Sequence, residues 1–189
     1  MMRVTVAVPP PGMTEETMRV QILAACAFVF ALALAPDARA DNPALPGVYV
    51  NDQQNGAAIG TAIDAAIEKM NFIKRPIARS RLKKTNAAHH RVTIGLTAQE
   101  ISVAFDGNQP VRMPADGRTA KWTRDDGEVF DVAARWTDDR LVQSFAAADG
   151  ERINTFTLGP DGRALDVQVE VKSLQLPEPV SYALKFERQ

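Results

Sequence analysis

The sequence has a single cysteine, Cys26, among its 189 residues. That cysteine lies in an apolar N-terminal stretch, and residues 41–189 contain none, so no disulfide can form within them. A fold without this crosslink must depend on a hydrophobic core, and a segment of this length can bury one of adequate size. We therefore expect residues 41–189 to form one domain.

The sequence also lacks the short motifs that mark many enzyme sites. It contains no Gly-rich phosphate loop, no nucleophile elbow and no cluster with zinc-ligand spacing. His89 and His90 are adjacent, so on a strand they would point to opposite faces and could not share a metal; we interpret them as a solvated loop pair. We expect no catalytic residue, metal or cofactor, although an acid–base enzyme without a recognisable motif remains an alternative.

Long hydrophobic runs are absent except at residues 22–35, a stretch shorter than the roughly 18 to 20 residues that span a bilayer. Arg19 precedes this run, and Ala38-Arg39-Ala40 follows it as a small-x-small site for signal peptidase. We predict a leader over 1–40, with a secretory signal over 18–40 cleaved after Ala40, and hence a periplasmic or secreted chain without a transmembrane span. The proline-rich residues before Met18 fit no part of such a signal, so the start codon is open between Met1 and Met18.

Three alternatives to a cleaved signal remain. Leu23-Ala24-Ala25-Cys26 matches a lipobox, but the apolar run lies mostly after the cysteine, whereas lipidation requires it before. The run could also be a buried N-terminal helix or an uncleaved signal anchor.

Charge is balanced overall, with a net value of −1, and indicates no particular partner. Its distribution is uneven, because no acid occurs between Glu68 and Glu100. The basic residues of that interval and its flanks are Lys69, Lys74, Arg75, Arg79, Arg81, Lys83, Lys84 and Arg91. With apolar neighbours such as Ile73, Ile77 and Leu82, this segment could rest on anionic lipid headgroups or guard a barrel mouth for an anionic ligand. The alternative is a solvated connector.

Nucleic acid is not an expected partner. The predicted export signal argues against it, and no aromatic residue lies between Phe72 and Phe105 to stack on bases.

Turn signals recur along the C-terminal two thirds of the sequence. Asp-Gly favours tight hairpins because both central residues of a type I′ turn need positive φ. It occurs at 106–107, 116–117, 126–127, 149–150 and 161–162, and Asp138-Asp139 fills the wide gap. The spacing leaves room for one strand of about six to nine residues between turns, which predicts an antiparallel meander.

Alternating apolar residues support these strands, since every second side chain shares a face. The apolar sets are Val92, Ile94 and Leu96; Ile101, Val103 and Phe105; Phe130, Val132, Ala134 and Trp136; Leu165, Val167, Val169 and Val171; and Tyr182, Leu184 and Phe186. So many twisted strands must curl or close, which also removes sticky edges.

One helix is predicted over 55–71, with Asn55 as N-cap and an apolar stripe at Ile59, Ile63, Ile67 and Met70. Gly47–Val50 precedes it as a short first strand, and the basic segment after it is predicted to be partly helical. The fold class is therefore mainly β with one N-terminal helix (α+β): an up-and-down antiparallel meander of 8–10 strands, curled into a barrel or half-barrel that the helix covers.

This order of elements resembles the calycins, namely the lipocalins and fatty-acid-binding proteins, over most of residues 41–189. In "PGVYV", Tyr49 stands where lipocalins carry tryptophan, and in "SYALKFERQ" Tyr182 and Arg188 are separated and reversed relative to the Arg-x-Tyr of fatty-acid-binding proteins. No ligand-contacting residue is therefore carried over. Periplasmic lipoprotein carriers, whose curled sheet wraps around helices, are a second resemblance, and both imply binding of acyl chains.

Together these features predict an exported, non-catalytic protein that binds a small hydrophobic ligand, with or without an anionic group, such as a lipid. The candidate ligand-binding residues are Arg79, Arg81, Lys83, Trp122, Trp136 and Phe145. Aromatic residues in such strands more often belong to a packed core than line a ligand cavity, so a core role is the alternative for the aromatic members of this set. A structural or protein-interaction module of the cell envelope is the alternative function.

Overall fold

The computed structural model describes residues 42–51 and 56–189; the predicted leader and Asn55 lie outside them. The elements are β1 (Gly47–Val50), α1 (Gly56–Ile67), α2 (Arg75–Thr85), β2 (Arg91–Leu96), β3 (Glu100–Phe105), β4 (Val111–Pro114), β5 (Ala120–Thr123), β6 (Val129–Thr137), β7 (Arg140–Ala146), β8 (Gly150–Leu158), β9 (Ala164–Ser173) and β10 (Val180–Arg188).

These ten strands form one antiparallel sheet in the order β4-β3-β2-β1-β10-β9-β8-β7-β6-β5. The first strand closes the sheet by pairing with both β2 and β10, since Tyr49 lies opposite Val92 on one side and Arg188 on the other. The edge strands β4 and β5 lie next to each other without backbone pairing, which leaves a seam in a nearly closed barrel. The predicted fold class is confirmed.

One predicted hairpin is wrong. Asp116-Gly117 connects β4 to β5, yet these strands are the two edges of the sheet instead of a bonded pair. Asp-Gly therefore also occurs in the connection between β4 and β5, where the run of paired neighbouring strands is interrupted.

The predicted alternation of faces is confirmed by burial. On β9, Leu165, Val167 and Val169 are at most 1% exposed, and on β10 Tyr182, Leu184 and Phe186 are buried as well. Each apolar side chain removed from water contributes about 1.5–3 kcal/mol, so these inward faces supply most of the driving force for folding.

The Asp-Gly turns connect strands as predicted, but by a different local mechanism. Only Asp106-Gly107 has both residues at positive φ (52° and 76°), as a type I′ turn requires. In other turns the glycine alone is at positive φ and the aspartate side chain accepts backbone N–H groups, as Asp161 Oδ1 does from Arg163 (2.9 Å) and Ala164 (3.1 Å). These aspartates therefore stabilise their turns by accepting hydrogen bonds with their carboxylates, and not by adopting positive φ.

The two helices differ in how firmly they are packed. The stripe of α1 buries Ile59, Ile63, Ala66 and Ile67, and this helix packs against β10; it ends at Ile67, earlier than the predicted residue 71. The basic segment, for which only partial helix was predicted, forms α2 with Pro76 in its first turn and no buried residue. Neither described helix is long and apolar enough to span a bilayer.

The helices define one end of the barrel, because they connect the end of β1 to the start of β2. The turns β3–β4, β5–β6, β7–β8 and β9–β10 lie at this helix end. The opposite end, here called the far end, contains Arg188, which donates from Nε to the Gly162 carbonyl (2.9 Å) and from Nη1 to the Pro46 carbonyl (3.0 Å).

Candidate ligand site at the helix end of the barrel

A polar layer crosses the barrel interior between apolar layers. Asn154 lies on the inner face of β8, two residues before the buried Phe156, and the register places it opposite Gln143 on β7. Asn154 Nδ2 donates to Gln143 Oε1 at 3.0 Å, and Gln143 Nε2 lies 3.6 Å from the Met113 sulfur. Both amides are fully buried and paired, so this layer is packed.

Arg152, one inward position nearer the helix end, joins this layer to α2. Its Nε donates to Asn154 Oδ1 (3.0 Å), Nη1 to Asn86 Oδ1 (3.2 Å) and Nη2 to the Tyr182 hydroxyl (3.3 Å). The Thr85 carbonyl is a longer acceptor at 3.4 Å from Nη1. Every hydrogen-bond acceptor of Arg152 within the described residues is uncharged, so a half-buried positive charge faces the barrel mouth without a carboxylate.

Such a guanidinium is chemically suited to bind an anion. Its planar donors match a carboxylate or phosphate, and hydrogen bonds to charged groups are roughly twice as strong as neutral ones. Tyr182 adds a hydroxyl beside it, and burial raises the pKa of this tyrosine although Arg152 opposes the rise. The hydroxyl is therefore protonated at neutral pH and donates at 3.0 Å to Asn86 Oδ1.

His89 forms a fixed point next to this site. Its ring stacks on Phe105 with centroids 4.5 Å apart, and Nδ1 lies 2.8 Å from Asp106 Oδ2. Asp106 Oδ1 also accepts the backbone N–H groups of His90 (2.8 Å) and Arg91 (2.9 Å), which ties the start of β2 to the β3–β4 turn. The predicted solvated pair is thus right for the exposed His90 and wrong for His89, whose side chain is 19% exposed.

Titration of this pair follows from its surroundings. Burial lowers the pKa of His89 and outweighs the opposing effect of Asp106. For Asp106, burial acts to raise the pKa, but the hydrogen bonds from His89 and the two backbone N–H groups together lower it. At neutral pH, an uncharged His89 therefore donates to the Asp106 carboxylate.

Two of the predicted aromatic residues meet at the helix end. Trp122 lies 5.6 Å from Phe145 and 5.7 Å from Phe130, measured between ring centroids, and all three rings are partly buried. The register places Phe145 directly opposite Arg152, so this aromatic cluster borders the guanidinium. Trp136 lies at the other end of β6, opposite Leu141, roughly 20 Å along the strand from Phe130, and does not join them.

The predicted basic residues Arg79, Arg81 and Lys83 lie on α2 and are exposed, outside the barrel interior. Arg79 pairs with Asp64 of α1 at 2.9 Å, whereas Arg81 and Lys83 have no ion pair within the described part of the chain. An open groove beside them is lined by Phe72, Arg75, Pro76, Arg79, Ser80 and Lys83.

Large exposed apolar side chains also gather at the helix end. Phe72, Ile73 and Ile77 are 75%, 66% and 59% exposed, and they surround the start of α2. We define the cap surface as these three residues together with Lys74, Arg81, Lys83 and Lys84. Its combination of apolar and cationic groups differs from the polar outer faces of the strands.

A resident metal has no visible site, since within residues 42–51 and 56–189 no three His, Cys, Asp or Glu side chains gather as ligands.

Sequence reasoning missed the interior polar residues Arg152, Asn154, Gln143 and Asn86. The first three occupy positions that are in phase with apolar residues of their own strands, as in Arg152, Asn154, Phe156. A polar residue at an inward position of a strand is therefore the signal that could have revealed this site.

Comparison with known proteins supports the fold at low sequence identity. No protein-family model matches the chain, and no curated protein matches it in sequence. An abundant heat soluble (SAHS) protein of Ramazzottius varieornatus is similar in structure, with a TM-score of 0.51 and 10% identity over 77% of this chain and 96% of that one.

Two further similar structures have lower scores. Human cRBP IV gives a TM-score of 0.47 with 15% identity over 77% of this chain and 98% of that one. A Schistosoma mansoni fatty acid binding protein in complex with arachidonic acid gives 0.47 with 10% identity over 78% and 98%. The ten-stranded, nearly closed antiparallel barrel with two helices at one end, together with the first of these matches, shows that the chain has a calycin-like fold.

Proposed function

We propose that this protein is a non-catalytic binder of a small hydrophobic ligand that carries an anionic group. The observation behind the proposal is Arg152, a half-buried guanidinium whose hydrogen-bond acceptors among the described residues are all neutral. Retaining such a charge beside apolar walls is costly unless a partner neutralises it. A carboxylate at Arg152 and Tyr182 would supply that partner, and its alkyl chain would contact the cluster of Trp122, Phe130 and Phe145.

A titration with laurate and with 1-dodecanol tests this function, because the two probes differ in their head groups. Tryptophan fluorescence serves as the readout, since Trp122 lies in the aromatic cluster. We expect laurate to bind the wild-type protein, and Arg152→Gln to weaken laurate by about 10- to 100-fold while leaving 1-dodecanol nearly unchanged. The exposed Arg135 of β6 provides the matched control, Arg135→Gln. Equal laurate binding by wild type and Arg152→Gln, or no laurate binding by either, would contradict the proposal.

The cap surface extends this proposal to anionic lipid headgroups. Lys74, Arg81, Lys83 and Lys84 are exposed and have no ion pair in the described chain, and three large apolar side chains lie beside them. A bilayer with acidic lipids offers negative headgroups to the basic residues and an apolar interior to the apolar ones. Each basic residue near its surface contributes about 1 kcal/mol to the binding free energy.

Vesicle sedimentation tests this extension. We expect binding to vesicles of phosphatidylcholine with phosphatidylglycerol, weaker binding in high salt, and little binding to pure phosphatidylcholine. Lys83→Glu with Lys84→Glu should reduce binding at least about tenfold, whereas Lys121→Glu on the outer face of β5 should not. Equal binding to neutral vesicles would refute the headgroup role.

We further propose that the chain works outside the cytoplasm, on the strength of the apolar run and the Ala38-Arg39-Ala40 site. Mass spectrometry of the mature protein from a bacterial expression host should find Asp41 as its first residue. A protein that retains residues 1–40 in the cytoplasm would be inconsistent with export.

One observation favours a second function, that of an envelope interaction module with a packed interior. Gln143 and Asn154 are fully buried and satisfied by each other and Met113, so this layer needs no ligand. Failure of both amphiphiles to bind, together with recovery of a stoichiometric protein partner, would favour it.

A further inference from the structure

The second helix is held to the rest of the protein by few contacts. None of its residues is buried, and only Ala78 and Leu82 pack partly against the core. By contrast, α1 buries four residues. The position of α2 therefore depends strongly on its polar contacts.

The polar contacts of α2 lie at its start, its middle and its end. The first two connect α2 only to α1 and to the turn that follows α1. At the start, Arg75 Nε donates to the Met70 carbonyl at 2.8 Å. In the middle, Arg79 pairs with Asp64 at 2.9 Å in a solvent-exposed setting, where ion pairs contribute little. Only at the end of α2 do polar contacts within the described residues reach the barrel wall. Asn86 contacts Arg152 and Tyr182, and the Thr85 carbonyl accepts a longer contact of 3.4 Å from Arg152.

This last contact uses the same donors that would bind an anion. Arg152 Nη1 and the Tyr182 hydroxyl both donate to the single oxygen Asn86 Oδ1, at 3.2 and 3.0 Å. A carboxylate is a stronger acceptor for a guanidinium than an amide oxygen and also neutralises its charge. An incoming anion and Asn86 therefore compete for the same donors.

Releasing Asn86 would not unwind the helix, because the residue also caps it. Asn86 donates from both its backbone N–H and its Nδ2 to the Leu82 carbonyl, each at 2.9 Å. Three residues later, His89 is fixed by Phe105 and Asp106. The freed helix would then move as a unit about residues 87–88, and β2 would keep its place.

We infer that an anionic group bound at Arg152 displaces Asn86 and thereby frees the C-terminal end of α2 from the barrel. This inference rests on the anionic-ligand function proposed above and adds a coupling between that ligand and the cap surface, which is partly built on α2. Occupancy of the barrel would thus alter the mobility of the surface proposed to meet the membrane.

Two substitutions of Asn86 give opposite expectations. Asn86→Ala removes the competitor, so by thermodynamic reciprocity laurate affinity should rise about fivefold or more while 1-dodecanol affinity stays constant. Asn86→Asp builds a carboxylate into the competitor's place, so laurate affinity should fall about tenfold or more. Ser80→Ala, on the exposed side of α2, is the matched control and should change neither. A fall in laurate affinity for Asn86→Ala would overturn the inference, since it would make Asn86 a ligand contact.

Hydrogen–deuterium exchange of the full chain measures directly how firmly α2 is held. Laurate should speed exchange in residues 78–86 of the wild type, and 1-dodecanol should not. Asn86→Ala should exchange fast there already without ligand, and Asn86→Asp slowly even with laurate; if the alanine variant does not fold, the aspartate variant and the wild type still decide the result. Laurate binding with unchanged or slower exchange of α2 overturns the coupling and leaves the ligand site standing. Absence of laurate binding to the wild type overturns both.

Discussion

The two ends of the barrel each contain an arginine that has no carboxylate partner among the described residues, and the two arginines are held differently. At the far end, the guanidinium of Arg188 donates to the carbonyls of Ala44, Pro46 and Gly162 and to the Tyr49 hydroxyl, and it lies 4.8 Å from the centre of the Tyr49 ring. At the helix end, Arg152 donates chiefly to side-chain oxygens, one of them on the residue that follows the loosely packed α2.

The two arginines differ in the kind of hydrogen-bond acceptor that holds them, which is mainly backbone for Arg188 and mainly side chain for Arg152. The backbone carbonyls that bind Arg188 belong to the segment before β1 and to the β8–β9 turn, so Arg188 joins the beginning of the described domain to its end. Asn86 Oδ1 is instead a side-chain acceptor, and under the inference above it gives way to an anion. Arg188, bound to the backbone, thus builds structure, whereas Arg152, bound mainly to side chains, is available to a ligand under the function proposed above.

The largest expected effect comes from Arg188→Ala. It removes three hydrogen bonds to backbone carbonyls and one to the Tyr49 hydroxyl, so we expect a loss of about 3 kcal/mol in the free energy of unfolding. Urea denaturation measures it. Arg163→Ala, at an exposed neighbouring position, is the control and should cost under about 0.5 kcal/mol. Arg152→Gln should cost much less than Arg188→Ala, and equal losses would abolish the distinction between the two ends.

The tyrosines beside the two arginines sharpen the same contrast. Tyr49→Phe loses a buried hydrogen bond to the Leu45 carbonyl (2.6 Å) and an acceptor for Arg188, with an expected cost of about 1–2 kcal/mol. Tyr182→Phe loses a bond to the Asn86 side chain (3.0 Å) and a longer one from Arg152 (3.3 Å), so about 0.5–1 kcal/mol is expected. Chemical denaturation of both variants under one condition compares them, and a greater loss for Tyr182→Phe would reverse the assignment of the rigid end.

A smaller expected effect concerns His89 at the helix end, and it should appear as a pH dependence of the free energy of unfolding. Because the pKa of His89 is lower in the folded than in the unfolded chain, the unfolded chain takes up the proton first as pH falls through the ordinary histidine value of about 6.5. Stability must therefore fall with pH from about 7 downward until the lower folded pKa is passed. Melting temperatures between pH 7.5 and 5 measure this slope.

His89→Asn should flatten that slope, and His90→Asn, at the exposed neighbour, should retain it. Asp106, Arg152 and His90 are the charged or titratable groups that act on His89. The pKa of Asp106 is itself lowered, so its stabilising effect is lost only at more acidic pH. A slope that survives His89→Asn would assign the effect to another group.

The smallest effect concerns α1, which covers the helix end. An added Cβ at Gly60 would meet no atom within 4 Å, so Gly60→Ala should stabilise the protein by about 0.5–1 kcal/mol through helix propensity alone. Gly107→Ala, at φ 76° in an open turn, should instead destabilise it by about 1 kcal/mol. Thermal melts compare the pair, and a destabilised Gly60→Ala would show that this face of α1 has an unrecognised neighbour.

Most of the sheet was predictable from local sequence patterns. The alternation of apolar and polar residues fixes which side chains face inward, and aspartate-glycine pairs mark the turns between strands. Long-range pairing was not predictable in the same way. Nothing in Asp116-Gly117 distinguishes it from the other turns, yet it separates the two edges, and the closure of β1 between β2 and β10 requires partners far apart in sequence.

The candidate ligand site was harder to predict for a related reason. Arg152 is a charged residue in a strand and would ordinarily be assigned to the wet face. Its alternation with Asn154 and Phe156 favours the inner face, and the register, which sets it opposite Phe145 and Val171, shows that it points inward. Asn86 becomes relevant only when α2 returns to the barrel, 66 residues away from Arg152 in sequence. Of the predicted site residues, Trp122 and Phe145 lie beside this site, and the roles of all six remain predictions.

The seam between β4 and β5 has a mechanical consequence. A fully bonded cylinder has a fixed circumference, since widening it means breaking a ladder of backbone hydrogen bonds. Here β4 and β5 share no backbone ladder, so widening the wall along the seam would leave all nine strand pairings intact.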